Sequence, residues 1–130
     1  MEWVWRPFFQ HDGKRTQIFT HALYHHYSAP EDFDFDTLND NAPMIDDPTL
    51  ENYNVDARIS ELYDWISHQR VHYKTNETGQ MFMVFGDDFR YANAHQVFYS
   101  LDRLIKYFNL KYTDVQLMYS TPSIYIDAIS

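Results

Sequence analysis

The stretch Met81–Tyr91, which reads MFMVFGDDFRY, constrains the fold more than any other part of the sequence. The apolar run Met81–Phe85 is typical of a buried strand, and Gly86 ends it. Asp87 and Asp88 follow at once, so two carboxylates stand where this strand ends. Sheets built from strand-helix units bind ligands beyond the carboxyl ends of their strands, which makes this pair the first place to look for chemistry. The ordinary alternative is that these acids form a turn or cap a helix.

Hydrophobic periodicity predicts two long helices on either side of this stretch. The first covers Val55–Arg70, with one apolar face at helical spacing made of Val55, Ile59, Leu62, Tyr63 and Ile66. The second is predicted to begin after Asn93, which could cap it and form a capping-box-like pair with Gln96. Its apolar stripe, which we interpret as core, contains Ala94, Val97, Phe98, Leu101, Leu104, Ile105 and Phe108.

Strands are predicted at two further places, Glu2–Trp5 and Val115–Tyr119. We expect Trp3, Val4 and Trp5 to be buried in the first of them. A last helix is predicted to begin at Pro122, a residue favoured in the first turn. The resulting order is strand, long loop, helix, strand, helix, strand, helix. This alternation predicts an α/β fold with parallel strands, although the strands are too few to close a barrel.

Composition limits the classes of function. The chain has 130 residues, the size of one domain, and 45% of them are hydrophobic, which favours a packed body over disorder. Its formal net charge of −9 at pH 7 argues against nucleic acid and anionic membrane surfaces as partners. Without cysteine there is no disulfide and no thiolate metal site. No apolar run reaches membrane-spanning length, and the first residues do not resemble a secretory signal.

Residues 28–54 form the longest stretch without periodicity, and Pro30, Pro43 and Pro48 interrupt it. A loop of this length in a compact domain is functional, mobile or an insertion. Because charged runs usually face solvent, we expect a solvated acidic surface loop here. A calcium-binding loop over Asp32–Asp47 is the alternative, although it lacks the glycine and the terminal glutamate of an EF-hand loop.

A histidine-rich segment, residues 17–27, has no clean period and is expected to be irregular. His21, His25 and His26 would have metal-ligand spacing if this segment were helical, since residues i and i+4 share a helix face. No glutamate stands between them as in the helices of metalloproteases, so ordinary loop histidines are the competing interpretation.

Several short motifs occur in a fixed order along the chain. The central ones are Gly86-Asp87-Asp88-Phe89 and Tyr91-Ala92-Asn93-Ala94. The flanking ones are VWRP at 4–7, IFTHALYHHYSAP at 18–30, DDPTLENYNVDAR at 46–58, HYKTNET at 72–78 and YSTPSIY at 119–125. Together they resemble the class II alpha-mannosidases, glycoside hydrolase family 38, and the lysosomal type in particular. There a strand ends in Gly-x-Asp-Phe and a helix opens at Tyr-x-Asn-Ala. The resemblance covers essentially the whole chain.

This resemblance implies a zinc-dependent retaining exo-glycosidase that releases terminal alpha-linked mannose from N-glycans. It implies that residues 1–130 are part of the catalytic domain, a partial slice of a barrel-like parallel sheet flanked by helices. The acidic loop would lie at about 28–54 and strand-helix units at about 55–130. The implied partners are a mannose-containing oligosaccharide and the remainder of the catalytic domain, in a lysosomal or secreted protein. Asn76, in the sequon Asn76-Glu77-Thr78, would then be a glycosylation site.

The family motif also implies roles for particular residues. Its acid/base carboxylate corresponds to Asp88, and the segment His25, His26 and Tyr27 resembles a loop that lines the sugar site. The zinc ligands and the nucleophile of the family would lie outside residues 1–130. We therefore expect this chain by itself to be inactive, because it holds only one of the two catalytic carboxylates. The alternative is an inactive carbohydrate-binding or structural remnant of the same fold.

Overall fold

The computed structural model describes residues 1–8, 10, 13–73 and 75–130, except for the side chains of Thr75 and Asn76. In these residues the strands are β1 (Glu2–Trp5) and β2 (Ile18–His21). The helices are α1 (Val55–Gln69), α2 (Thr75–Thr78), α3 (Ala94–Lys111) and α4 (Pro122–Ile129). Short 3₁₀ helices occur at Gly13–Thr16 and Arg70–His72. None of the helices in this described part is both long and apolar enough to cross a membrane.

The core lies between α1 and α3, which pack against each other along their apolar faces. The buried side chains of α1 are Val55, Ile59, Leu62 and Ile66, and those of α3 include Val97, Leu101, Leu104 and Phe108. Each such side chain contributes roughly 1.5–3 kcal/mol when it is fully removed from water. Both predicted helices are thus confirmed, but Phe98 of the predicted stripe is 44% exposed because it lies at the edge of the buried face.

Residues 22–54 contain neither helix nor strand, as the sequence indicated. The expectation of a solvated loop is nevertheless wrong for part of this segment. Phe33, Phe35 and Met44 are buried in the α1–α3 core, and Asp36 is buried beside them. The loop is also tied to α3, since the Met44 N–H donates to the Ser100 Oγ at 3.2 Å. It therefore forms one wall of the core.

The only sheet in the described residues is the antiparallel pair of β1 and β2, with Glu2 opposite His21 and Trp5 opposite Ile18. The predicted parallel sheet is therefore not formed there, and β2 arises in a segment that was expected to be irregular. Trp3, Val4 and Trp5, which we expected to be buried, are 43%, 48% and 53% exposed. Two strands of four residues leave both faces of the pair largely uncovered.

The predicted strands Met81–Phe85 and Val115–Tyr119 are not strands in the structure. The backbone groups of a strand form hydrogen bonds with a neighbouring backbone. In these two segments, backbone groups form hydrogen bonds with side chains instead. In the first segment, the Tyr73 hydroxyl donates to the Phe82 carbonyl at 3.0 Å and the Tyr91 hydroxyl to the Phe85 carbonyl at 2.7 Å. In the second, the side-chain amide of Asn109 binds both the N–H and the C=O of Leu117 at 2.8 Å.

Helix starts were predicted in part. Pro122 begins α4, where the Thr121 side chain accepts a hydrogen bond from the Ile124 N–H. The capping box at the start of α3 is wrong, because the Asn93 side chain makes no cap hydrogen bond. The Gln96 side chain donates instead to the Phe35 carbonyl at 3.3 Å, and so fastens the acidic loop to α3.

Candidate active site

The two adjacent carboxylates, Asp87 and Asp88, have different environments. The Asp88 side chain is exposed, and its Oδ1 accepts a hydrogen bond from the Tyr27 hydroxyl at 2.9 Å. Asp87 is half-buried, and its Oδ2 accepts from the Ser28 hydroxyl at 2.6 Å. Its Oδ1 accepts from the backbone N–H of Asp88 at 2.7 Å, as in a turn. Asp88 is therefore the carboxylate free to meet a ligand, whereas Asp87 fastens the loop.

The histidine-rich segment meets the acidic pair from the other side. The Nδ1 of His26 lies 3.1 Å from the Ser28 hydroxyl oxygen. Because Ser28 also donates to Asp87, it connects His26 to Asp87. The ring of His26 packs against that of Tyr27, with 3.9 Å between centroids. Sequence reasoning assigned no role to Ser28, although this serine lies within the motif at 18–30. The predicted residues His26, Tyr27 and Asp88 are thus brought together.

His25 is the least integrated of the predicted residues. Its ring packs edge-on against Tyr24, which in turn stacks on His72 with 3.4 Å between ring centroids. Both His25 and His26 line a shallow surface depression, together with Ser28, Pro30 and Trp65 among others. The structure therefore places His25 at the rim of the candidate site, beside Tyr24 and His26.

The hypothesis of a metal site formed by His21, His25 and His26 is wrong. His21 points to Glu2, with its Nδ1 2.7 Å from the Glu2 Oε1, and packs among aromatic rings away from the other two. In the part of the chain that is described, no group of three or more His, Asp or Glu side chains could hold a metal ion. This also removes the calcium alternative for Asp32–Asp47.

The backbone after Asp88 is unusual, because Phe89 and Tyr91 have φ angles of 61° and 66°. Such left-handed conformations are uncommon for residues other than glycine and are disfavoured for bulky side chains. Phe89 is 88% exposed, so that burial of its ring does not explain its conformation. Arg90, between them, pairs with Asp34 through Nε and Oδ2 at 2.7 Å rather than with Asp88.

Two acids of the long loop hold this strained turn. Asp36 is only 1% exposed, and its Oδ2 accepts from the Tyr91 N–H at 2.8 Å while its Oδ1 accepts from the Leu38 N–H at 3.2 Å. Asp34 pairs with Arg90 and also accepts from the Asn39 side chain. Sequence reasoning missed both acids. The alternation of buried Phe33 and Phe35 with acids was the available signal that this part of the loop is not solvated.

Local electrostatics keep Asp87 ionised and Tyr27 protonated. The hydrogen bond from Ser28, helped by the Asp88 N–H and the positive charge of Arg90, holds the pKa of Asp87 below its usual range. The bond to Asp88 raises the pKa of the Tyr27 phenol, which therefore remains a donor. Burial alone would raise the pKa of Asp36, but the hydrogen bonds from the N–H groups of Tyr91 and Leu38 outweigh it and hold the pKa low.

The arrangement can transfer protons. An exposed carboxylate, oriented by a phenol and placed on a rigid turn, is suited to give a proton to a bound ligand or to take one from water. Such a site is typical of hydrolases that use carboxylates as acid and base. The sequence matches the glycosyl hydrolases family 38 N-terminal domain over residues 1–130, and the chain belongs to that family.

Similar proteins agree with this assignment. The chain is 38% identical to the lysosomal alpha-mannosidase of Dictyostelium discoideum over 133 residues, which cover 100% of the chain and 12% of that protein. It is 36% identical to the alpha-mannosidase of Canavalia ensiformis, over 98% of the chain and 12% of that protein. Identity to the human lysosomal alpha-mannosidase is 33%, over 97% of the chain and 12% of the relative. The chain thus spans about an eighth of the length of the relatives it matches.

Proposed function

We propose that residues 1–130 are a segment of the catalytic domain of a retaining alpha-mannosidase and that Asp88 is its acid/base residue. The observation that carries the proposal is the hydrogen bond from Tyr27 to the exposed Asp88, within a chain that matches family 38 over its whole length. It joins two predicted site residues that are 61 positions apart in the sequence.

In the proposed mechanism, Asp88 gives a proton to the glycosidic oxygen as the bond to the leaving sugar breaks. A second carboxylate attacks the anomeric carbon, and Asp88 then takes a proton from the water that hydrolyses the covalent intermediate. The two carboxyl groups of such enzymes are about 5 Å apart. In this proposal the second carboxylate and the zinc ligands of the family come from outside residues 1–130.

Tyr27 and the histidines have supporting roles in this proposal. Tyr27 fixes the orientation of the Asp88 carboxylate and presents an exposed aromatic face beside it. His25 and His26 are exposed next to that face and can donate hydrogen bonds to sugar hydroxyl groups. The substrate would be a mannose-containing oligosaccharide, with terminal alpha-linked mannose of N-glycans as the natural form.

The remainder of the catalytic domain is the expected structural partner. In the complete domain, Met81–Phe85 would gain neighbouring backbones and join a barrel-like parallel sheet flanked by helices, with Asp88 beyond its carboxyl end. The proposed location is lysosomal or secreted, and two of the named relatives, which are lysosomal alpha-mannosidases, support the lysosomal one. Glycosylation of Asn76 belongs to the same proposal; its backbone lies in α2, whereas its side chain lies outside the described part of the structure.

A chimera tests the proposal. Residues 1–130 replace the matching segment of the Dictyostelium lysosomal alpha-mannosidase, and hydrolysis of a mannose disaccharide is measured. Asp88→Asn should lower kcat by roughly 100- to 10,000-fold, the usual contribution of general acid–base catalysis. A dinitrophenyl mannoside, whose leaving group needs no proton, should lose much less in the first step.

The matched control is Asp64→Asn, which makes the same change at an exposed position on α1 and should leave kcat unchanged. Full turnover by Asp88→Asn would overturn the acid/base role. A chimera that binds mannosides without turning them over, with or without Asp88, would support the inactive remnant instead.

A further inference from the structure

We propose that Asp36 is a positioning residue for the acid/base loop: through Tyr91, and together with the Asp34–Arg90 ion pair, it holds the turn that presents Asp88. This inference rests on the proposed function of Asp88 and names what keeps that carboxylate in place. Asp36 does not touch Asp88 or the surface around it. It acts through the backbone of the turn that follows Asp88.

Two acids hold the turn at neighbouring residues: Asp36 binds Tyr91, and Asp34 binds Arg90. The Tyr91 N–H donates to Asp36 at 2.8 Å, at a residue whose φ of 66° would otherwise be unfavourable. One residue earlier, the guanidinium of Arg90 is held by Asp34 at 2.7 Å. The second strained residue, Phe89, stands between this anchored pair and Asp88, with a φ of 61°. Residues in such conformations persist only where the surrounding structure determines them, and here the two acids supply that structure.

Asp36 and Asp34 are themselves rigidly held. Besides Tyr91, the Asp36 carboxylate accepts from the Leu38 N–H at 3.2 Å and the Thr37 hydroxyl at 3.3 Å. The Asp36 N–H donates to the Asp34 Oδ1 at 3.1 Å, so that the two acids form one unit. A buried carboxylate with this many donors is well satisfied, and removing one acceptor position leaves a donor without a partner.

This unit is anchored in the core. Phe33 and Phe35, which flank Asp34 in the sequence, are buried against α1 and α3. The Phe35 carbonyl accepts from the Gln96 side chain at 3.3 Å. A second tie lies on the other side of the turn, where the Ala29 N–H donates to the Gly86 carbonyl at 3.0 Å. The segment that contains Tyr27 and the turn that contains Asp88 are therefore fixed to the same support.

A loss of this support should affect proton transfer more than binding. If the turn relaxes, Asp88 moves relative to the glycosidic oxygen, and a displacement of about 1 Å can cost on the order of 100-fold in rate. Substrate affinity depends on other groups and should change little. With a leaving group that needs no proton, the first step, which kcat/KM reports, should be insensitive to the displacement. This difference separates a positioning role from a general loss of folded enzyme.

The variant Asp36→Asn keeps the size of the side chain but turns one acceptor oxygen into a donor group. Oδ1 accepts from both Leu38 and Thr37, whereas Oδ2 accepts from Tyr91, so the amide oxygen should take the Oδ1 position and leave the Tyr91 N–H without its partner. In the chimera, we expect kcat on the mannose disaccharide to fall roughly 10- to 100-fold, with KM changed less than about twofold. The loss of kcat/KM on the dinitrophenyl mannoside should be clearly smaller. Asp40→Asn, an exposed position in the same loop, is the matched control and should behave like the parent on both substrates.

A second measurement uses the 130-residue chain itself and needs no activity. Amide hydrogen exchange at Tyr91 should become at least roughly tenfold faster in Asp36→Asn, whereas the amides in the middle of α3 keep their protection. Asp36→Leu, which removes both acceptors, should show the larger effect if it folds. Unchanged exchange at Tyr91 in Asp36→Asn would overturn the inference whether or not the leucine variant folds.

The outcomes distinguish the two proposals. If Asp88→Asn abolishes turnover but Asp36→Asn matches the parent on both substrates, Asp36 has no positioning role. Equal losses of kcat/KM on both substrates would also overturn it, because kcat/KM reports the first step, and equal losses there indicate fewer folded molecules. If Asp88→Asn retains full turnover, the proposed function itself is wrong, and faster exchange at Tyr91 then describes only the structure of the loop.

Discussion

The Tyr27 hydroxyl donates to the Asp88 carboxylate at 2.9 Å and links the histidine-rich segment to the acidic turn. Removing that hydroxyl with Tyr27→Phe leaves the ring and its packing against His26 in place. In the chimera, we expect kcat on the disaccharide to fall roughly tenfold, because Asp88 loses the group that orients it. The measurement is steady-state kinetics on the disaccharide and on the dinitrophenyl mannoside, on which the loss should be smaller.

The matched control for that change is Tyr99→Phe, which removes a phenolic hydroxyl from an exposed position on α3. It should leave both substrates unaffected. Activity of Tyr27→Phe equal to that of the parent would show that the hydrogen bond to Asp88 has no part in turnover.

The α1–α3 core predicts a large difference between two phenylalanines of one helix. Phe108 is 0% exposed in the centre of the core, whereas Phe98 is 44% exposed. Phe108→Ala leaves a cavity and should lower the free energy of unfolding by about 3–5 kcal/mol. Phe98→Ala should cost much less, because much of its ring already contacts water. Urea unfolding of the 130-residue chain measures both, and equal losses would contradict the described packing of α3.

The buried contact between the acidic loop and α3 gives a second test of stability. The Ser100 Oγ, which is fully buried, accepts from the Met44 N–H at 3.2 Å. Ser100→Ala leaves that N–H without a partner away from water, and we expect a loss of about 1–3 kcal/mol in the free energy of unfolding. Ser123→Ala, at an exposed position of α4, is the control and should stay within about 0.5 kcal/mol. A neutral Ser100→Ala would mean that water reaches Met44.

Stability should decrease at acidic pH for a specific reason. The pKa values of Asp36, Asp46 and Asp87 are all held below the ordinary 3.8. For Asp46, hydrogen bonds from Tyr107 and then from Arg103 are the main causes. The unfolded chain binds these protons more tightly, so the stabilisation is present above pH 3.8 and is lost as the pH falls through the lower folded-state pKa values. The urea midpoint should therefore drop below that pH.

The contribution of a single group can be separated. Asp46→Asn cannot titrate, so its urea midpoint should be lower near neutral pH and should depend less on pH in the acidic range than that of the parent. Asp64→Asn, which is exposed, should follow the parent curve. A midpoint that rises on acidification below pH 3.8 would contradict the lowered pKa values.

The helices could be predicted from the sequence because their determinants are local. The spacing of apolar residues placed α1 to within one residue, Asn93 marked the start of α3, and Thr121-Pro122 marked the start of α4. Strands depend on partners that the sequence of one segment does not show. Met81–Phe85 has the composition of a strand but lies beside side-chain hydroxyl groups, whereas Ile18–His21 has no clean pattern and pairs with β1.

The site was predicted in the same uneven way. The resemblance to family 38 pointed to Asp88 and to the segment around Tyr27, and the structure brings these two into contact. It gave no indication of Asp34 and Asp36, which looked like members of a solvated charge run. Their role depends on the burial of Phe33 and Phe35 and on the φ angles at Phe89 and Tyr91. These are properties of the folded chain, and composition alone does not contain them.

The two-stranded hairpin of β1 and β2 also has a consequence for how copies of the chain behave in solution. Within the described residues neither strand has a further strand on its outer edge, and Trp3, Trp5, Ile18 and Phe19 beside these edges are exposed. Such edges attract further strands. The net charge of −9 makes copies of the chain repel one another, which opposes this attraction. Dissolved salt weakens that repulsion, because at physiological ionic strength charges farther apart than about 8 Å are largely screened. Copies of the chain should therefore associate more readily as the ionic strength rises.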